Sequence, residues 1–140
     1  MAVGDMVRAK ARWAVENSAG KPIISDDDRL VLNTAKHPLL AQSLKRQKRV
    51  IIPLDVELDK EKRILVISGP NAGGKSVCLK TIGLLQYMFQ CGMPVPVMEH
   101  SVFGIFNDIL IDIGDEQSIE NDLSTYSSHL INMKNFYYME

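Results

Sequence analysis

Residues 69–76 read Gly69, Pro70, Asn71, Ala72, Gly73, Gly74, Lys75 and Ser76. Their types and spacing suit the binding of a phosphate chain. Glycines at either end let the backbone curl until successive N–H groups point inward at anionic oxygens. A lysine closing such a loop reaches the terminal phosphates, and the hydroxyl of the serine after it holds Mg2+. A helix starting here, with Val77 in its first turn, would aim the positive end of its dipole at the same anion. The loop therefore predicts ATP or ADP with Mg2+ as ligands of residues 69–77. The pattern also arises as an incidental Gly-rich turn, so its context decides.

That context is supportive on both sides. Ile64-Leu65-Val66-Ile67-Ser68 is a short, continuously apolar run, which predicts a fully buried strand in a sheet covered on both faces. Asp59 to Arg63 reads as a hairpin turn leading into it. After the loop, residues 75–91 predict a helix with Cys78, Ile82, Leu85 and Phe89 as a core-facing stripe. Gly92 ends that helix, with Pro94 and Pro96 beyond. Strand, phosphate loop and helix in this order make the fold class α/β, with a mixed sheet flanked by helices.

Further elements frame this unit. Residues 5–17 contain good helix formers and no Gly or Pro, predicting a helix that stops at Asn17–Gly20, before Pro22. Arg8 and Arg12 on it form either a basic stripe or, the preferred reading, a solvated face. From Pro22 to Leu58 the pattern predicts short strands and loops, with strands at 29–33 and 50–58. The charged stretch 44–49 is expected to be an exposed loop rather than a phosphate contact. His37 is either a ligand or base, or a structural residue that Pro38 biases to an extended backbone. Residues 102–113 look extended. Tyr126, Leu130, Met133 and Tyr137 fall at helical spacing, with Ser124 or Thr125 placed to cap that helix.

The bulk properties exclude several classes. The chain has 140 residues, 46% hydrophobic and 24% charged, with a formal charge of −1. Taken whole, it offers no electrostatic case for binding nucleic acid or an acidic membrane. No apolar run approaches the ~20 residues of a membrane span, and no signal-peptide pattern opens it, so a cytoplasmic location with no membrane partner is expected. Cys78 and Cys91 would be roughly 20 Å apart along one helix at ~1.5 Å per residue, beyond disulfide reach.

A phosphate-loop enzyme also needs an acidic residue to organise Mg2+ and water. Ile109-Leu110-Ile111-Asp112, with Asp115 and Glu116 following, has the look of such a strand end. Read alone, it would complete an enzyme.

Several motifs in order resemble those of the MutS family of DNA-repair ATPases. They are Ala35-Lys36-His37-Pro38, the Pro-Asn loop at 69–76, Lys80-Thr81-Ile82-Gly83, Asp112 to Ser118, and Leu123 to His129. The last two look most like the MutS-two branch, associated with recombination control. The resemblance covers nearly the whole chain, roughly residues 5–140. It implies an ABC-type P-loop NTPase domain, an ATP-hydrolysing parent working as a homodimer, and DNA bound through other parts of that parent. It implies that Ser124 opens a signature helix reaching the γ-phosphate held by the other subunit, making Lys75 and Ser124 the catalytic residues. Asp115, Glu116 and Gln117 would lie near Mg2+ and water, and residues 49–53 would flank the adenine. Ser76 stands where many members have threonine, which serves Mg2+ equally well.

In that family the acidic Walker B strand follows the signature helix, and no such strand is found before Glu140. Residues 1–20 are therefore expected to be the end of a preceding helical region, and 21–140 the first part of an ATPase domain. On its own this segment is expected to be inactive in hydrolysis. Two other readings stay open: a non-catalytic nucleotide-binding module, and a small-molecule kinase. The kinase reading lacks the arginines of a lid, since no arginine follows Arg63.

Overall fold

A computed structural model describes residues 3–70, 74–112 and 130–136. The chain divides into two compact units, Met1–Asn107 and Asp108–Glu140. Among the described residues, the first contains three helices, α1 (Val3–Asn17), α2 (Pro38–Arg46) and α3 (Lys75–Gln90). It also contains four strands: β1 (Ile23–Ser25), β2 (Leu30–Ala35), β3 (Leu54–Leu58) and β4 (Val102–Gly104). In the second unit, residues 130–136 are helical.

The strands form one mixed sheet in the order β1-β4-β2-β3. β4 runs parallel to β1, β2 antiparallel to β4, and β3 antiparallel to β2. Leu30 and Leu32 alternate inward along β2, as period-two geometry requires. The register then shifts before Ala35. Thr34 adopts a positive φ of 53° at that shift, and its N–H is taken by Asp55 Oδ1 at 2.6 Å.

α3 covers this sheet. Leu85, Met88, Val95, Val97 and Phe103 join Leu30, Leu32 and Val56 in one buried cluster. The predicted stripe is correct for Leu85, while Ile82 and Phe89 are half-buried against the cluster. Cys78 is only half-buried, and Thr81 and Met88 take core positions instead, so the buried face is turned slightly from the expected one. α1 has no buried residue. Its anchor is Trp13, whose Nε1 donates to the Pro94 carbonyl at 3.1 Å.

Three sequence expectations need correction. Residues 64–68 form no strand: Ile64 is 85% and Val66 82% exposed. A buried strand needs a hydrogen-bonding neighbour and apolar cover on both faces, and the described strands pair only among themselves. The turn before it does form, with Asp59 Oδ1 accepting from the N–H groups of Glu61 and Lys62. Next, part of the expected loop at 44–49 is the last turn of α2. Finally, β3 begins at Leu54 rather than 50, because Pro53 has no N–H to give a ladder.

Gly104 is the tightest point of the sheet. An added Cβ would lie 2.5 Å from the Asp27 carbonyl oxygen and 3.0 Å from the Arg29 nitrogen, both backbone atoms. Gly104→Ala is expected to destabilise the fold by about 2–3 kcal/mol in urea unfolding. Gly20, where an added Cβ meets nothing within 4 Å, provides the control: Gly20→Ala should stay within about 0.5 kcal/mol of the parent. Equal effects would show that the close approach at Gly104 does not hold.

Candidate functional site

The N-terminus of α3 is built to stay open. Gly74 is its N-cap, at φ 82° and ψ 17°, with no side-chain capping bond. This left-handed conformation favours glycine, and φ rather than space imposes it, since nothing lies within 4 Å of an added Cβ. The first turn carries no acidic residue. Helix start groups normally find a side-chain oxygen; the N-cap here, a glycine, supplies none.

Lys75 Nζ donates to the Gly69 carbonyl at 2.7 Å. Gly69 has φ 148°, again a glycine conformation. Ser76 and Val77 are exposed, and Cys78 N–H closes the first helical bond to the Gly74 carbonyl at 3.0 Å. Gly69, Pro70, Gly74, Lys75, Ser76 and Val77 thus lie around one helix start. Asn71, Ala72 and Gly73 lie outside the described residues, as do Asp115, Glu116, Gln117 and Ser124.

Beside this helix start is a cleft of about 540 Å³, a size suited to a small organic ligand. The first turns of α3 supply Gly74, Val77, Cys78 and Thr81, α2 and its cap supply His37, Leu40 and Leu44, and residues 49–54 form the third wall. Val50 and Ile52 on that wall are each 90% exposed. The lining is mainly apolar, with Arg49, His37 and the Cys78 thiol as its ionisable groups. A cavity of similar size near Lys10, Lys21 and Phe89 includes none of the loop residues.

His37 has a structural task here. Its Nδ1 accepts from the Leu40 N–H at 3.4 Å, capping α2, and Pro38 occupies the first turn. Sequence reasoning missed this wall of the cleft, although Pro38 followed by Leu-Leu-Ala-Gln-Ser-Leu-Lys-Arg was a usable helix signal. In the second unit, Asp112 Oδ1 accepts from Asn132 Nδ2 at 3.2 Å. Among the described residues, no group of three or more His, Cys, Asp or Glu is disposed to hold a metal ion.

An open, glycine-capped helix start beside an apolar cleft, on a mixed α/β sheet, defines a candidate ligand-binding α/β unit. Comparison with known proteins narrows the class. The family profile described as MutS domain V matches residues 65–138, just over half of the chain. The chain belongs to the MutS family. It is 46% identical over 129 residues to "Endonuclease MutS2" of Geobacillus sp. (strain WCH70), covering 92% of this chain and 16% of that protein. Endonuclease MutS2 of Lactiplantibacillus plantarum (strain ATCC BAA-793 / NCIMB 8826 / WCFS1) is 44% identical over 132 residues, covering 94% of this chain and 16% of the relative. The corresponding protein of Carboxydothermus hydrogenoformans (strain ATCC BAA-161 / DSM 6008 / Z-2901) is 46% identical over 130 residues, covering 93% and 16%. The chain is thus a MutS2-like segment, about one-sixth the length of these relatives.

Burial, aided by the positive charge of Lys80, lowers the His37 pKa from its ordinary value of 6.5, although a backbone hydrogen bond opposes the shift. The folded chain therefore resists protonation of a ring that the unfolded chain accepts at about pH 6.5. Stability from this group is complete above pH 6.5 and falls as pH drops toward the lower folded pKa. Replacing His37 by Asn keeps a capping side chain and removes the titration. The melting temperature of the parent should therefore fall more between pH 7 and pH 5 than that of His37→Asn. Parallel profiles would remove His37 from this account.

Proposed function

We propose that residues 69–77 bind the phosphates of ATP or ADP and that the neighbouring cleft receives the base. The carrying observation is the uncapped, glycine-initiated N-terminus of α3 opening beside an apolar cleft. Lys75 provides the point charge for the terminal phosphates, exchanging its present bond to the Gly69 carbonyl for phosphate oxygens. Backbone N–H groups at the start of α3 hold the phosphate chain, with a glycine N-cap that offers no side chain to compete. Ser76, exposed beside Lys75, is the residue to hold Mg2+, which would screen the phosphate charge when bound. Val50, Ile51 and Ile52 offer apolar cover for a purine ring.

In this reading the chain is the nucleotide-binding segment of a MutS-type ATPase. The longer protein would couple ATP binding and hydrolysis to DNA binding in repair or recombination control, as a cytoplasmic homodimer. Support comes from the family membership and from the helix start. Lys75 acts within its own subunit, and Ser124 completes the partner's site at the γ-phosphate. Residues 1–20 would end a helical region preceding the ATPase domain, consistent with the lack of any buried residue in α1.

Two measurements test the binding reading. Lys75→Ala should weaken Mg-ADP binding by about 10- to 100-fold in calorimetry, the range for losing charge-assisted hydrogen bonds. Cys78 lines the cleft and Cys91 is exposed elsewhere. Saturating Mg-ADP should therefore slow maleimide alkylation of Cys78 while leaving Cys91 unchanged. Unaltered affinity in Lys75→Ala, or equal protection of both thiols, would contradict the assignment.

A further inference from the structure

α3 is tied to the chain leaving β4 by more than apolar packing. Gln90 Nε2 donates to the Phe106 carbonyl at 2.9 Å, and Gln90 Oε1 accepts from the Phe106 N–H at 3.2 Å. One side-chain amide thus pairs with both backbone groups of one residue, as a neighbouring strand would. One turn earlier, Gln86 Nε2 donates to the Gly104 carbonyl at 2.8 Å and to Gln90 Oε1 at 2.7 Å.

These bonds fix the orientation of both amides. Phe106 decides which end of Gln90 is oxygen. Gln90 and Gly104, both presenting acceptors, then require the nitrogen of Gln86. The consequence is a buried oxygen with nothing to accept. Gln86 is 4% exposed, and its Oε1 is the buried side-chain polar atom without a protein partner among the described residues. Such an oxygen counts against the closed arrangement, because opening the contact would hydrate it. Three hydrogen bonds hold the contact shut, with a fourth bracing the two glutamines within α3, and one unmade bond brings its open form closer in energy.

We propose that Gln86 and Gln90 are positioning residues, a latch that transmits occupancy of the phosphate loop to the strand exit at 104–107. The proposal rests on the nucleotide reading above. α3 is a single helix of 16 residues without proline, so its two ends move together. At one end Lys75 holds the Gly69 carbonyl, a contact that phosphate binding must rearrange. At the other, Gln90 holds Phe106. Neither glutamine lines the cleft beside the loop. The chain that Phe106 continues reaches Asp112 six residues later. An occupied loop restrains α3 and thereby favours the closed latch.

The test measures amide exchange of Phe106 by NMR on this chain, with and without Mg-ADP, alongside calorimetric affinity. In the parent, saturating nucleotide should slow Phe106 exchange by about fivefold or more, as a shift toward the closed form. Gln90→Met removes both pairings; it should speed exchange in the free chain about tenfold and abolish the nucleotide response. Its nucleotide affinity should fall by no more than the same factor of about five, because coupling between latch and site is reciprocal. Gln90→Glu keeps only the bond from the Phe106 N–H and should give an intermediate rate and response, which also serves if the Met variant fails to fold. A parent that binds nucleotide without slowing Phe106, or variants that keep the full response, would overturn the latch and leave the nucleotide reading intact. A parent with no calorimetric binding would overturn both.

Discussion

Phe103 of β4 and Phe89 of α3 meet with ring centroids 4.8 Å apart and planes tilted by 35°. Phe103 is fully buried, and burial of such a ring contributes about 2–3 kcal/mol. The seat this pair makes for α3 governs much else. The buried residues of α3 are Thr81, Gly83, Leu85, Gln86 and Met88, all beyond its first turn. Ser76 and Val77, by contrast, are exposed. The helix is held by its later turns and presents its start. A phosphate loop depends on that division, because a helix buried along its whole length would cover the N–H groups that an anion needs.

The sheet supports the same arrangement. β4 lies between β1 and β2, and the absence of a side chain at Gly104 lets the backbone at 27–29 close over it. The bulge at Thr34 allows β2 to finish with Ala35 buried, directly before the His37 cap. α2 can then stand as one wall of the cleft. Across from it, Pro53 delays the start of β3 and leaves residues 49–52 outside the ladder as another wall. The cleft is therefore a product of two interruptions, one bulge and one proline.

Much of this was legible in the residues. Gly74, Lys75 and Ser76 announced a helix start, and the breakers Gly20, Pro22 and Gly92 marked where α1 and α3 stop. Elsewhere local signals competed. The cationic run at 44–49 read as a loop because charge dominates it, yet His37, Pro38 and the leucines before it specify a helix. Residues 64–67 read as a buried strand because all four are apolar. Apolarity shows that a segment can be buried; pairing partners decide whether it is. The cleft could not be read from spacing at all, since its walls come from three separated segments.

We propose above that the start of α3 and the cleft beside it form one nucleotide site. The most direct measurement is a backbone-amide NMR titration of this chain with Mg-ADP. A nucleotide site here should give saturable shifts concentrated at Gly69, at Gly74–Cys78 and at 49–54, with the Lys10, Lys21 and Met93 surface unchanged. Shifts confined to that second cavity, or none at saturating nucleotide, would contradict it.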